Sequence, residues 1–179
     1  MKIIKRVLLG LLALVIILLI VGLFTKKDYS VTRAVTINKP RSEVYEFISY
    51  LKNQNSYSKW GKLDPNMKIT YTGTDATPGF ISAWEGNKDV GTGEQEIKKV
   101  TPGQRVDYEL RFIKPWKSVG QSYMSTDSVG PEKTKVTWCM QGKMPYPMNL
   151  MLVFMNMDKM VGNDLQIGLD NLKAMREKN

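Results

Sequence analysis

The hydrophobic pattern divides the chain into one continuous apolar run and a longer part with short periods. Val7 to Phe24 contains no charged residue. As an α-helix with a rise of roughly 1.5 Å per residue, this run would span about 27 Å, close to the hydrocarbon thickness of a bilayer. The residues after it, Thr25-Lys26-Lys27, make a poor cleavage site for a signal peptidase. The pattern predicts an uncleaved transmembrane anchor in residues 1–27, with a cleaved signal peptide as the alternative.

The orientation of this anchor follows only weakly from charge. Basic residues lie on both sides of the apolar run: Lys2, Lys5 and Arg6 before it, and Lys26, Lys27 and Arg33 after it. The positive-inside rule is therefore almost balanced. Since a short basic N-terminal tail usually stays in the cytoplasm, we expect a single-pass membrane protein with an extracytoplasmic domain.

Residues 28–179 read as one α+β domain. Asp28 to Ile37 alternates in the manner of a strand, and apolar residues at helical spacing follow from Pro40 to about Lys52. Close connections, each containing Gly or Pro, predict an antiparallel meander after these elements. Six strands are expected in it: 67–73, 79–85, 90–100, 104–113, 118–128 and 133–143.

The pattern predicts a closing helix from about Pro147 to Glu177. Its second half carries a single apolar stripe, and Gly162 and Gly168 would let it lie close against a sheet. Its first half, residues 150–157, is apolar almost all round. We interpret that half as the buried start of the helix; the alternative is a membrane-contacting lip around a cavity mouth.

Several stretches of this domain resemble one known family. The opening VTINKPRSEVYEFISYLKN and the glycine-containing stretch Trp84 to Gly93 carry most of the likeness. Further matching stretches are Arg111–Pro115, Thr134–Trp138, Met160–Leu165 and Gly168–Lys173. Over roughly residues 30–177, the chain resembles the polyketide cyclase/dehydrase and lipid-transport family of the SRPBCC superfamily, which includes birch-pollen allergens and StAR-related lipid-transfer domains.

The resemblance implies a fold and a class of function. The implied fold is the α+β helix-grip fold, in which a curved antiparallel sheet of about seven strands wraps around a long C-terminal helix. The implied function is the binding of a hydrophobic small molecule between sheet and helix. The matching residues are mostly turn glycines and core positions, so they indicate the fold more specifically than the activity.

Alternation along the strands selects candidates for the wall of such a cavity, because every second side chain faces the interior. Large aromatic and flexible Met side chains suit an adaptable apolar site, although each could simply fill the core. The candidates are Trp84, Tyr108, Leu110, Phe112, Val136, Trp138, Met140, Met151, Met155 and Asp158.

Asp158 is the one acidic candidate, because it lies three residues before Val161 on the apolar face of the helix. Facing a cavity, its carboxyl group would have a raised pKa and could orient a ligand or exchange a proton. The alternative is a solvated or Lys-paired side chain. The paired carboxylates Glu94 with Glu96 and Asp107 with Glu109 are interpreted as the solvated outer face of the sheet.

Composition narrows the possible chemistry. The chain has no histidine and a single cysteine, Cys139, so we expect no Ser-His or Cys-His nucleophile, no metal site and no cofactor. The formal charge is +9, but both signs are interspersed along the domain, and we expect no nucleic-acid partner.

These observations favour one function and leave two alternatives. The leading hypothesis is a membrane-anchored binding or carrier module, with residues 28–179 as the domain that holds a lipid, quinone or polyketide-like molecule. The first alternative is a cyclase or dehydratase working in the same cavity, which the lack of histidine disfavours. The second is a protein-interaction or stress-response scaffold that binds no ligand.

Overall fold

One antiparallel sheet of seven strands is the framework of the computed structural model, which describes residues 2–178. The strand order is β1-β7-β6-β5-β4-β3-β2, so neighbouring strands are joined by hairpins except where β1 closes against β7. The strands are β1 (Asp28–Ile37), β2 (Lys68–Thr72), β3 (Ile81–Glu85), β4 (Thr92–Thr101), β5 (Arg105–Lys114), β6 (Ser118–Gly130) and β7 (Lys133–Lys143). The predicted antiparallel sheet of about seven strands is confirmed.

One helix precedes the sheet in the chain, two lie between the first and second strands, and two follow the last strand. The helices are α1 (Lys2–Phe24), α2 (Arg41–Ser49), α3 (Gln54–Tyr57), α4 (Met151–Phe154) and α5 (Met157–Glu177), with short 3-10 turns at Leu51–Asn53, Trp60–Lys62 and Met148–Leu150. The long helix α5 packs on the sheet mainly at β1. This is the α+β helix-grip arrangement that the sequence predicts.

The prediction of one continuous helix from Pro147 is wrong in its first half. Met155 has an extended backbone, with φ −100° and ψ 123°, and Asn156 follows with φ −84° and ψ 91°. The Asn156 side chain accepts a hydrogen bond from the Lys159 N–H at 2.9 Å and so caps the start of α5. The chain therefore bends between α4 and α5.

The apolar residues before this bend are exposed, which also corrects the interpretation of a buried helix start. Met151, Val153 and Phe154 of α4 all lie at the surface, as does Met148 before them. A helix of one turn cannot bury residues on every side unless other elements surround it. Neither the sheet nor α5 packs over these side chains of α4, so they remain exposed.

The core depends on close contact between α5 and the sheet. Leu165, Leu169 and Leu172 are fully buried along one stripe of the helix. Gly168 lies on the same helix against the Trp138 indole, so near that a Cβ built on Gly168 would be 2.7 Å from Trp138 Cζ3. The missing side chain at residue 168 lets α5 reach the sheet at this position.

The helix α1 stands largely exposed, but its C-terminal end is fixed to the domain. Its length and apolar composition suit a membrane span, properties that a signal sequence shares. The buried Asn149 amide donates hydrogen bonds to the carbonyl oxygens of Gly22 at 2.7 Å and Thr25 at 3.0 Å. The Gly22 carbonyl belongs to the last turn of α1, where a helix leaves its carbonyls open, and Thr25 follows the helix directly. Asn149 thus holds the end of α1 and the residue after it.

Replacing Gly168 tests the helix–sheet contact. Gly168→Ala gains about 1 kcal/mol of helix propensity, yet overpacking the rigid indole costs about 1–3 kcal/mol. We expect a net loss of about 1 kcal/mol, since the second effect is the larger. The measurement is thermal unfolding of the full chain in detergent, followed by circular dichroism.

Gly162→Ala is the matched control in the same helix. Its Cβ would displace only the far end of the Arg33 side chain, and the ion pair that Arg33 makes is exposed and weak. We expect Gly162→Ala to unfold within a few degrees of the parent or above it. Equal destabilisation by the two variants would show that the contact between Gly168 and the Trp138 indole does not set the distance between α5 and the sheet.

Candidate functional site

A cavity of about 360 Å³ lies between the inner face of the sheet and α5. The volume is near the lower end of the roughly 300–1,000 Å³ found for small-molecule sites. Most of its wall is apolar, formed by Leu51, Trp60, Met67, Ile69, Trp84, Val90, Leu110, Phe112, Trp138, Met140, Met160, Val161 and Leu165.

Two rows of side chains cross the strands to form the floor. In the first, Trp84 lies across Gly93 and meets Phe112 edge to face, with ring centroids 6.0 Å apart. Gly93 is required there, since a Cβ would come within 2.5 Å of the Trp84 ring. In the second row, Gln95 stands directly between Ser82 on β3 and Leu110 on β5. Both rows face inward because strand residues alternate.

Trp138 closes the inner end of the cavity. Its ring meets Tyr57 and Trp60 edge to face, with centroids 6.0 Å and 6.2 Å away. Its indole N–H donates to Ser122 Oγ at 3.2 Å, and that hydroxyl donates to the Cys139 carbonyl at 2.7 Å. The polar edge of the indole is thus satisfied within the protein, and its apolar face is presented to the cavity.

The cavity wall also contains polar side chains. Gln54 and Gln95 are both buried and line it. Within residues 2–178, neither side-chain amide makes a hydrogen bond to another residue. Their nitrogen and oxygen atoms stay accessible from the cavity, so a ligand atom or a water molecule can bind to them. The site can therefore hold an apolar molecule that carries a neutral hydrogen-bonding group.

The exposed part of the lining defines the mouth of the cavity. Asp89 and Val90 contribute from the β3–β4 connection and Met160 from the first turns of α5. Asp164 also lines the cavity, and its carboxylate is paired with the Lys59 ammonium group. The lining thus contains two acidic residues, Asp89 and Asp164, and the second is neutralised by its ion pair with Lys59.

The mouth lies at the end of the sheet where α1 joins β1. At this end Tyr29 pairs with Gly142, Gly142 with Gly120, and Gly120 with Leu110. Gly93 pairs with Phe112 on β5 and with Trp84 on β3, so Trp84 and the β3–β4 connection lie at this same end of the sheet. We call this the proximal end of the domain.

Of the ten residues selected from the sequence, the structure brings five into the cavity wall. These are Trp84, Leu110, Phe112, Trp138 and Met140. Tyr108 and Val136 face inward as expected, but they lie in the packed core. Met151 and Met155 belong to the bent segment before α5, where Met151 is exposed. A role in ligand binding stays a prediction for all of the wall residues.

Asp158 lies on the outside of the domain and not in the cavity wall, which agrees with the alternative of a solvated, paired side chain, although its partner is Arg33 and not a lysine. The Arg33 guanidinium donates to both of its carboxylate oxygens, at 2.8 Å and 2.9 Å. These hydrogen bonds lower the pKa of the Asp158 carboxyl group below its usual range. The bend at Asn156 accounts for the difference, because it makes Asp158 a first-turn residue of α5 instead of a mid-helix one.

Buried tyrosines do not supply acid–base groups to the cavity. Burial raises the pKa of the Tyr108 hydroxyl well above its ordinary value, and it raises that of Tyr57 as well. The Tyr57 hydroxyl is 3.2 Å from the Met124 sulfur, and the Tyr108 hydroxyl is 3.4 Å from the Ile48 carbonyl oxygen. Both phenols stay protonated near neutral pH and serve packing.

The paired carboxylates lie on the outer face of the sheet, as the sequence predicts. Arg111 forms ion pairs with Glu94, Glu96 and Glu109 across β4 and β5. Arg105 pairs with Asp107 on the same face. Among the described residues, no group of His, Cys, Asp and Glu side chains could hold a metal ion.

Three polar residues of the cavity, Gln54, Gln95 and Ser122, were missed by sequence reasoning. Gln95 could have been found, because it alternates with Gly93 and Ile97 on the inward side of β4. Ser122 is inward on β6 by the same alternation. Gln54 had no such signal, since it lies in a one-turn helix whose burial depends on packing against the rest of the domain.

Comparison with solved structures identifies proteins of similar fold. Norcoclaurine synthase from Thalictrum flavum, solved with dopamine and hydroxybenzaldehyde, has a TM-score of 0.64 at 8% identity, over 89% of this chain and 92% of that one. A hypothetical protein from Helicobacter pylori has a TM-score of 0.62 at 13% identity, over 84% and 89%. The di-domain ARO/CYC StfQ from the steffimycin biosynthetic pathway has 0.61 at 9%, over 85% and 51%.

Identities this low show the fold alone, and the search of curated proteins finds no match. The family model described as polyketide cyclase / dehydrase and lipid transport matches residues 28–177. That range includes all seven strands and α5, and it agrees with the resemblance in the sequence. The chain therefore belongs to the polyketide cyclase/dehydrase and lipid transport family.

Proposed function

We propose that this protein is a membrane-anchored binding or carrier protein for a mainly apolar small molecule with a neutral polar group. The observation that carries the proposal is the apolar cavity lined by the Gln54 and Gln95 side chains, whose amides make no hydrogen bond to other residues within the described range 2–178. An interior that serves packing alone would be filled and would satisfy its polar groups. The membership in a family of hydrophobic-ligand binders supports the same function.

The cavity volume limits the cargo. At about 360 Å³, it suits a single-chain lipid segment, a quinone ring or a compact polyketide-like molecule better than a lipid with two full acyl chains. The polar group of the cargo is neutral in this proposal, because the polar side chains inside are amides and hydroxyls. A charged headgroup would have to remain at the mouth, near Asp89 and the Lys59–Asp164 pair.

The anchor is the second part of the proposal. In it, α1 spans a bilayer, residues 28–179 form the ligand-binding domain, and that domain lies outside the cytoplasm. The length and composition of α1 support a span. The hydrogen bonds from Asn149 to the Gly22 carbonyl of α1 and to the Thr25 carbonyl just after it support retention of the helix in the mature protein. Removal of the helix would leave the buried Asn149 amide without the Gly22 partner.

A cyclase or dehydratase activity in the same cavity has less support. It would need a proton donor or acceptor next to the substrate. Of the two candidates of that kind, Asp158 lies on the outer surface and Tyr108 lies in the packed core. The reaction would have to rely on Asp164, Asp89 or bound water.

Filling the cavity tests the binding function. Native mass spectrometry of the full chain released from detergent, with solvent extraction of the purified protein, should reveal a co-purifying apolar molecule. In Ser82→Phe, a ring occupies the floor of the cavity. We expect the affinity to fall by at least about tenfold, equivalent to about 1.4 kcal/mol, and the bound fraction to fall with it.

Ala83→Phe is the control, because Ala83 is next to Ser82 on β3 and faces the other side of the sheet. It should keep the bound molecule at the parent level. A parent protein that is empty, and that takes up no molecule from a panel of quinones, single-chain lipids and polyketides, would contradict the binding function and favour a scaffold.

Replacing a cavity amide tests the neutral polar contact. Gln95→Leu should weaken binding of the molecule recovered above by roughly five- to tenfold, because a hydrogen bond of about 1 kcal/mol is lost. It should also raise the unfolding temperature of the empty protein, since Leu would bury apolar surface against the apolar cavity wall where the Gln95 amide now stands. Titration and thermal unfolding measure the two effects.

Gln121→Leu makes the same change on the exposed outer face of β6. We expect it to alter neither quantity. Unchanged affinity in Gln95→Leu would mean that the ligand presents only apolar atoms to this part of the cavity.

A further inference from the structure

Exposed apolar side chains lie together at the proximal end of the domain. They have two sources, the β5–β6 hairpin and the segment from Tyr146 to Phe154. Trp116 at the tip of the hairpin and Phe154 in α4 are each 75% exposed. The group further includes Val119, Met148, Met151 and Val153. We call these six residues the apolar rim.

The position of the rim is set by its contacts with the end of α1. Asn149, within the rim segment, donates to the Gly22 and Thr25 carbonyl oxygens. The Leu150 side chain also contacts α1 at Gly22. The hairpin is brought to the same end by the sheet, because the first residues of β6 pair with the last residues of β7, beside the start of β1. The rim therefore lies next to the point where α1 leaves the domain.

Exposed lysines accompany the rim. Lys114 and Lys117 flank Trp116 on the hairpin, and Lys143 ends β7. Lys26 and Lys27 follow α1 directly, with Asp28 as their acidic neighbour. Apolar and indole side chains framed by lysines fit the interface of a bilayer, where the rings enter the acyl boundary and the ammonium groups meet anionic headgroups.

We propose that the apolar rim inserts into the surface of the bilayer that α1 spans, favours anionic lipid, and places the cavity mouth against the membrane. This inference rests on the proposed function, because it takes α1 as a bilayer-spanning anchor. The observations that support the insertion itself are the exposed apolar rim, the lysines beside it, and the position of both next to the end of α1. The mouth of the cavity lies at the same proximal end as the rim, so an apolar ligand would pass between the bilayer and the cavity without crossing bulk water.

Spin labels in the full chain test this placement. In a background with the buried Cys139 replaced by Ala, single cysteines would be introduced as Leu14→Cys, Trp116→Cys, Phe154→Cys and Val129→Cys. Each protein is placed in nanodiscs of phosphatidylcholine with phosphatidylglycerol. Label depth is measured by electron paramagnetic resonance, from accessibility to oxygen against a water-soluble nickel chelate.

Val129 is the matched control, an apolar residue 52% exposed near the turn between β6 and β7, at the opposite end of the sheet. We expect labels at residues 14, 116 and 154 to favour oxygen and the label at residue 129 to favour the chelate. A label at residue 14 in lipid, with either residue 116 or residue 154 in water, overturns the rim insertion alone. A label at residue 14 in water overturns the proposed anchor and the insertion together.

Charge reversal separates the anionic preference from apolar insertion. Lys114→Glu with Lys117→Glu should reduce the depth of the label at residue 154 when phosphatidylglycerol is present, and change it little in pure phosphatidylcholine. Lys133→Glu with Lys135→Glu makes the same charge change at the distal end and should have no effect. If the label at residue 154 keeps its depth in the variant with Lys114→Glu and Lys117→Glu, the preference for anionic lipid is overturned. Cavity occupancy, read by mass spectrometry in the same samples, reports separately on ligand binding.

Discussion

The contact between Gly168 and the Trp138 indole is the constraint on which the arrangement of this domain depends. It sets how closely α5 approaches the sheet, and with it the depth of the stripe formed by Leu165, Leu169 and Leu172. The same indole is held by Ser122 and by the rings of Tyr57 and Trp60. One side chain thus joins the packed core on one side to the open cavity on the other, and a change in helix position would alter both.

The cavity exists because α5 does not cover the whole sheet. The helix packs chiefly on β1, while the inward side chains of β3, β4 and β5 at the proximal end meet no helix of comparable length. Short elements around Gln54 and Trp60 cover this area only in part, and the aromatic rings of Trp84 and Phe112 support its floor. An incompletely covered sheet costs packing energy. A bound apolar molecule would recover that energy, which is consistent with a carrier that is more stable when loaded.

Much of the fold could be predicted from the sequence, and less of the site. Period-two alternation between turn residues located all seven strands, because that signal is local. The break between α4 and α5 was not predicted, since its cause is a single residue, Asn156, that caps a new helix within an apolar run. Asp158 was misplaced for the same reason. Trp84 and Phe112 were found through alternation, whereas Gln54 depends on the packing of distant segments, which one-dimensional patterns do not contain.

The junction between α1 and β1 limits how far this protein can act. Only Thr25, Lys26 and Lys27 separate the two elements, and even a fully extended chain of that length spans roughly 10 Å. The Asn149 hydrogen bonds restrict it further. With α1 as the proposed anchor, the domain has no tether along which to travel. It could not carry cargo from one membrane to a distant one, and delivery would require an acceptor that comes to the surface where the domain stands.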